Sequence, residues 1–114
     1  MITLKTLPQA TAQQVFDQVA NHLLNQGKKS MIESTCRLRG EKNLMCAAGC
    51  LISDEEYNSS WEDKAWLVLA IDGAVPKNHK HLIQELQQIH DGCSVFRWRE
   101  ELKNIATEYN LKFI

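Results

Sequence analysis

Apolar residues recur at helical spacing near the start of the chain and predict its first element. Thr11 stands three residues before Gln14, which is the pattern of a capping box, and Gly27 supplies a stop. The sequence therefore predicts a helix over residues 12–26. Its apolar stripe consists of Val15, Phe16, Val19, Ala20, Leu23 and Leu24.

The apolar pattern changes after residue 30. Apolar positions alternate imperfectly on both sides of the polar segment "RGEKN", which is typical of a β-hairpin with its turn near Gly40 and Glu41. Such a turn places Cys36 opposite Cys46 on one face of the sheet.

The segment "AWLVLAI", residues 65–71, is apolar on every side. Ser60 and the acidic residues that follow Trp61 are typical of a helix start, so we expect a helix that is central to the core. A buried strand is the alternative, because periodicity alone does not separate the two. Asp72 and Gly73 close the run.

Two amphipathic helices follow and are joined at "DGC". Asn78 is expected to cap the first, which Gly92 ends, and Ser94 is expected to open the second. The apolar stripes are Leu82, Ile83, Leu86 and Ile89, then Phe96, Trp98, Leu102, Ile105, Ala106 and Tyr109. The whole pattern predicts one α+β domain over residues 1–114: an N-terminal helix, a small antiparallel hairpin or sheet, and a helical half ending in a helical hairpin.

The composition is that of an ordinary globular protein, with 44% hydrophobic residues, 24% charged residues and a net charge of −1. A charge this small gives no broad attraction to DNA or to a membrane surface. The first ten residues lack the pattern of a signal peptide, and no apolar run approaches membrane-spanning length. A cytoplasmic location is therefore expected.

The four cysteines offer the first candidate chemistry. In a chain without an export signal they are expected to be reduced, and Cys46 and Cys50 lie in the apolar segment "MCAAGCLI". Convergence of Cys36, Cys46 and Cys50 would give three ligands for zinc, with Cys93 or a histidine as the fourth. The favoured interpretation is packing in the core, and a nucleophilic thiol needs a histidine that the sequence does not place.

The segment "PKNHKH" offers a second candidate. Lys77, His79, Lys80 and His81 surround a predicted helix N-terminus, where backbone N–H groups can hold a phosphate or a carboxylate. An anion- or nucleotide-binding site is one interpretation. Exposed lysines in a solvated loop are the favoured alternative, because the dipole effect is small and screened.

The aromatic and basic residues near the C-terminus have structural interpretations. Phe96 with the "RWR" segment could stack on nucleic acid, but Arg97 stands four residues before Glu101, the spacing of a helical ion pair. His90 is expected to cap the end of its helix, with Asp91 facing elsewhere. These features predict no nucleic-acid partner.

Three segments, "CRLRG", "MCAAGCLISDEEY" and "LQQIHDGCSVFRWREELKNIATEYNL", occur in this order. In that order they resemble a group of small uncharacterised bacteriophage and prophage proteins, whose members commonly have proline where this chain has Ser53. The resemblance implies an accessory protein of a phage or mobile element that acts inside a bacterial cell. It transfers no activity, cofactor or catalytic residue to this chain.

The sequence therefore favours a non-enzymatic binding protein that engages a host or phage protein, for example to modulate host defence. The alternatives are a small anion- or nucleotide-binding domain and a zinc- or thiol-dependent protein that uses Cys36, Cys46 and Cys50. Neither a membrane nor a nucleic acid is an expected partner. A homodimer and a monomer are both compatible with the sequence.

Overall fold

The computed structural model describes residues 1–113 and shows the predicted α+β class. Four α-helices surround one core, and a two-stranded antiparallel hairpin lies beside them. The helices are α1 (Ala12–Gln26), α2 (Trp66–Ile71), α3 (Lys80–Gly92) and α4 (Trp98–Glu108), and the strands are β1 (Met31–Ile32) and β2 (Thr35–Cys36). Within residues 1–113 no helix is long and apolar enough to cross a bilayer.

Helix α1 has the bounds that its sequence predicts, because both of its ends are fixed locally. The Thr11 side chain accepts a hydrogen bond from the Gln14 backbone N–H at 3.1 Å, and the Gln14 side chain accepts from the Thr11 N–H at 2.9 Å. Gly27 ends the helix in the left-handed conformation, with φ of +63°, and its N–H donates to Leu23.

The hairpin lies earlier in the chain than predicted. Met31 pairs with Cys36 and the hairpin turn falls at residues 33–34, so the predicted position of the hairpin and the predicted Cys36–Cys46 pair are wrong. The chain does turn after Gly40, whose N–H donates to Leu44, and this region also lies against β1: a Cβ at Gly40 would lie only 2.6 Å from the Met31 nitrogen. Only a single bridge, between Arg39 and Met45, spans that turn.

The apolar run 65–71 is a short helix that lies at the surface. Ser59–Trp61 forms a separate 3-10 turn, and α2 begins only at Trp66, so the expected helix start at Ser60 is wrong, as is the strand alternative. One face of α2 packs inward, whereas Val68 is 47% exposed and Ile71 is 67% exposed. The expectation of a fully central element is therefore also wrong.

Helices α3 and α4 form the predicted helical hairpin. His79, with φ of +59°, precedes the first turn of α3 in place of Asn78, and a 3-10 turn at Val95–Arg97 separates Ser94 from α4. Trp98 and Leu102 of α4 are fully buried. The Tyr109 hydroxyl donates to the Glu85 carboxylate, and this hydrogen bond joins the C-terminal end of α4 to α3.

Candidate functional site

The basic segment before α3 is anchored to the N-terminal part of the protein. The His79 Nε2–H donates to the Ala10 carbonyl at 2.7 Å, so this ring has a structural partner. Lys77 and His81 are exposed and Lys80 is half-buried. No second feature in residues 1–113 marks this helix start as a ligand site, and the anion-binding hypothesis stays a prediction.

Cys46 and Cys50 are core thiols in their geometry and electrostatics. The Cys46 sulfur accepts from the Gly49 N–H at 3.3 Å, and the Cys50 thiol donates to the Ala47 carbonyl at 3.2 Å. Burial raises the pKa of both thiols to about 12. Both are therefore protonated at neutral pH, which is unsuitable for a nucleophile.

These two thiols predict an alkaline loss of stability. A thiol in the unfolded chain has a pKa near 8.5. The folded state therefore holds both protons more tightly, and this contribution to stability is complete below about pH 8 and is lost as the pH rises toward 12. We expect urea unfolding to show a loss of about 2 kcal/mol per thiol between pH 8 and pH 10.5. A Cys46→Ala variant should lose about half of that dependence, and an unchanged pH profile would contradict the assignment.

Cys36 does not form a ligand group with Cys46 and Cys50, and it lies instead in a cluster with His90 and Asp91. The ligand atoms of these three side chains lie within 4.8 Å of one another, and they are the only such group of three among residues 1–113. Asp91 accepts from the His90 Nδ1–H at 2.7 Å and from Gln87 Nε2 at 2.7 Å. The expectation that Asp91 faces away from His90 is therefore wrong.

The partner of the second ring nitrogen fixes the tautomer of His90. The Ser30 backbone N–H donates to His90 Nε2 at 2.9 Å, so Nε2 carries the lone pair and Nδ1 carries the proton that Asp91 accepts. A metal on Nδ1 would require the proton on Nε2, directly against the Ser30 N–H. The cluster is thus satisfied by hydrogen bonds as it stands, and zinc stays a prediction without support from these donors.

The Cys36 thiol completes the same cluster. Burial raises its pKa, and the charge of Asp91 and a hydrogen bond to that carboxylate raise it further. A carboxylate beside the sulfur opposes formation of the thiolate, so the arrangement does not resemble an activated cysteine. His90 also stacks on Trp98, with ring centroids 5.6 Å apart.

A cleft of about 370 Å³ opens beside this cluster, between residues 35–38, Cys46 and Ala48, residues 61–66 and α3. Trp66 lines the cleft and is only 2% exposed. Its indole N–H has no hydrogen-bond partner among residues 1–113. Sequence reasoning missed the cleft, since its walls come from four separate parts of the chain.

Glu62 holds one wall of the cleft to the other. Its carboxylate accepts from the backbone N–H groups of Leu38 at 2.8 Å and Arg39 at 3.2 Å, and from the Tyr57 hydroxyl at 2.6 Å. Arg37 adds an ion pair at 3.3 Å. The side chain is 6% exposed, so this is a buried, fully occupied carboxylate.

A second surface feature lies at the start of α4. Phe96 is 86% exposed and Val95 is 38% exposed. Phe96 lines a shallow groove with Arg99, Lys103 and Phe113, and the Arg99 guanidinium lies 5.9 Å from the centre of the Phe113 ring. The predicted ion pair between Arg97 and Glu101 is confirmed at 3.2 Å.

These residues form a hydrogen-bonded polar cluster, a small cleft and an exposed aromatic groove. Comparison with protein-family models, with curated proteins and with solved structures finds no match to this chain.

Proposed function

We propose that this chain is a non-enzymatic binding protein that acts on a host or phage protein inside a bacterial cell. The observation that carries the proposal is the exposure of Phe96. Leaving a phenylalanine side chain in water forgoes about 1.5–3 kcal/mol of burial, which a partner surface can recover. Exposed aromatic residues next to arginine are the composition of interface hot spots.

The charge of the groove indicates the chemistry of the partner. Arg99 and Lys103 outweigh Glu100 among its lining residues, so the groove carries a small positive charge. A partner surface that offers an apolar pocket with an acidic rim complements it, and such complementarity sets specificity and association rate.

Two further points support this proposal over an enzyme. Cys46 and Cys50 are held protonated, and the thiol of Cys36 faces a carboxylate. The resemblance to small phage and prophage proteins implies that the protein acts inside a bacterial cell. Modulation of host defence is one process that such a protein can serve there.

Site-specific photocrosslinking in bacterial cells tests the proposal. A benzophenone amino acid in place of Phe96 should give a discrete crosslinked band, whereas the same amino acid in place of the exposed Gln88 should not. The partner, identified by mass spectrometry and purified, should bind the wild type and lose at least about tenfold in affinity with Phe96→Ser. The matched Val68→Ser variant, also at an exposed apolar position, should bind as the wild type does.

Two outcomes would overturn the proposal. If position 96 crosslinks only to a second copy of this chain, the groove is a homodimer interface. If positions 96 and 88 give the same diffuse pattern, Phe96 is a surface residue without a partner.

A further inference from the structure

We infer that the cleft lined by Trp66 is a separate binding site, for a neutral ligand that carries an amide group, such as a short segment of peptide. The cleft shares no lining residue with the Phe96 groove. This inference therefore does not rest on the proposed function.

The first argument is the buried donor. The Trp66 indole N–H is enclosed by the protein yet has no acceptor among residues 1–113, whereas the N–H of Trp98 donates to the Cys93 carbonyl at 3.2 Å. An unsatisfied buried donor costs about 1–3 kcal/mol. A ligand that brings an oxygen acceptor to this position recovers that cost.

The second argument is the size and lining of the cleft. Its volume of about 370 Å³ falls within the range of about 300–1,000 Å³ that is usual for small-ligand sites. Apart from the hydrogen-bonded side chain of Glu62, its buried lining is apolar and consists of Leu38, Cys46, Ala48, Trp66 and Leu69. An apolar side chain of the ligand fits this lining.

The third argument is charge, which selects among oxygen acceptors. Two cationic side chains, Arg37 and Lys64, line the cleft together with three anionic ones, Glu62, Asp63 and Asp91. The net charge of the lining is therefore −1. A carboxylate or phosphate ligand is therefore disfavoured, and a neutral carbonyl is the better acceptor. The Asp91 side chain is 44% exposed and can accept from the N–H of the same ligand. An amide offers both groups.

Local contacts hold the donor in position before any ligand arrives. Gln84 of α3 accepts from the Leu67 backbone N–H at 3.1 Å, which ties the start of α2 to α3. Gln87, one turn later, accepts from the Ala48 N–H at 2.8 Å. Trp66 therefore lines the cleft from a helix that is tied to its neighbour, and preorganisation of this kind reduces the entropy lost on binding.

Nuclear magnetic resonance of the tryptophan indole N–H groups tests the inference. The three signals are assigned with Trp→Phe variants, and N-acetyl-leucinamide is titrated as the probe. We expect a saturable shift of the Trp66 signal while the Trp98 signal stays in place. Sodium acetate at the same concentrations should move the Trp66 signal at least fivefold less.

A matched pair of variants localises the effect. Thr35→Tyr adds a bulky side chain at the cleft and should weaken the probe at least fivefold, whereas Ser34→Tyr, in the adjacent turn and outside the lining, should not. The dispersion of the backbone spectrum reports whether each variant is folded. A stationary Trp66 signal, an equal response to acetate, or an unchanged affinity in Thr35→Tyr would each overturn the inference.

Discussion

Replacing His90 with alanine is expected to lower the free energy of unfolding by about 3–5 kcal/mol. The imidazole is fully buried, so its removal leaves a cavity beside Trp98. The same change leaves the buried Ser30 N–H without its acceptor. Urea denaturation at pH 7.5 measures the effect.

Two further variants separate the hydrogen bond from the general effect of a mutation in α3. Gln88→Ala, at an exposed position two residues away, should change the stability by less than about 0.5 kcal/mol. His90→Gln can place an amide oxygen where Nε2 accepts from Ser30, so it should recover about 1–2 kcal/mol of the loss. A His90→Ala variant within 1 kcal/mol of the wild type would show that Ser30 finds another acceptor.

His90 also illustrates where sequence reasoning stopped. The segment "IHDG" correctly indicates the end of a helix, because that signal is local. The acceptor role of the ring depends on Ser30, which lies 60 residues away in the chain and is itself buried. No periodicity connects the two positions, so the sequence predicted a cap where the structure has a link between helix and hairpin.

The helices and strands show the same difference between local signals and distant contacts. Helix α1 was predicted to the residue because its capping box and its Gly27 stop lie within the helix or next to it. The hairpin was misplaced because the polar segment with Gly40 does form a turn, but only the single Arg39–Met45 bridge spans it, and the paired strands lie before it. Composition indicates a turn and does not reveal whether the flanking segments pair as strands.

The prediction of a central element at the apolar run 65–71 was wrong for a different reason. Periodicity describes which faces of a helix are apolar, and it does not reveal how many faces the rest of the protein covers. Helix α2 packs on α3 with one face, and Val68 and Ile71 stay exposed. The site residues show a similar limit: Trp66 was placed in the core, which is correct, but its unsatisfied N–H is visible only in three dimensions.

Replacing Glu62 with alanine is expected to lower the free energy of unfolding by about 3–5 kcal/mol, as breaking a buried ion pair does. In the sequence this residue looked like an ordinary acidic residue in the first turn of a helix. In the structure its carboxylate serves two backbone N–H groups, a hydroxyl and a guanidinium. Alanine would leave the two backbone N–H groups and the Tyr57 hydroxyl without their acceptor and Arg37 without its counter-charge.

The neutral variant Glu62→Gln separates the contribution of the oxygen acceptor at this position from that of the negative charge. Glutamine keeps one oxygen acceptor for the Leu38 or Arg39 N–H, so it should lose only about 1–3 kcal/mol. Asp63→Asn is the matched control, because it removes a charge from the next residue, which is exposed and makes none of these contacts. That variant should stay within about 0.5 kcal/mol of the wild type.

The Glu62 variants also link stability to the cleft. Because Glu62 joins residues 38–39 to the segment that leads into Trp66, Glu62→Gln should loosen the cleft wall even while the protein stays folded. The affinity for N-acetyl-leucinamide should then fall in Glu62→Gln and hold in Glu55→Gln, at an exposed acidic position outside the cleft lining. If both variants bind the probe equally, the cleft does not depend on this carboxylate, and the wall is held by the packing of Leu38 and Trp66 alone.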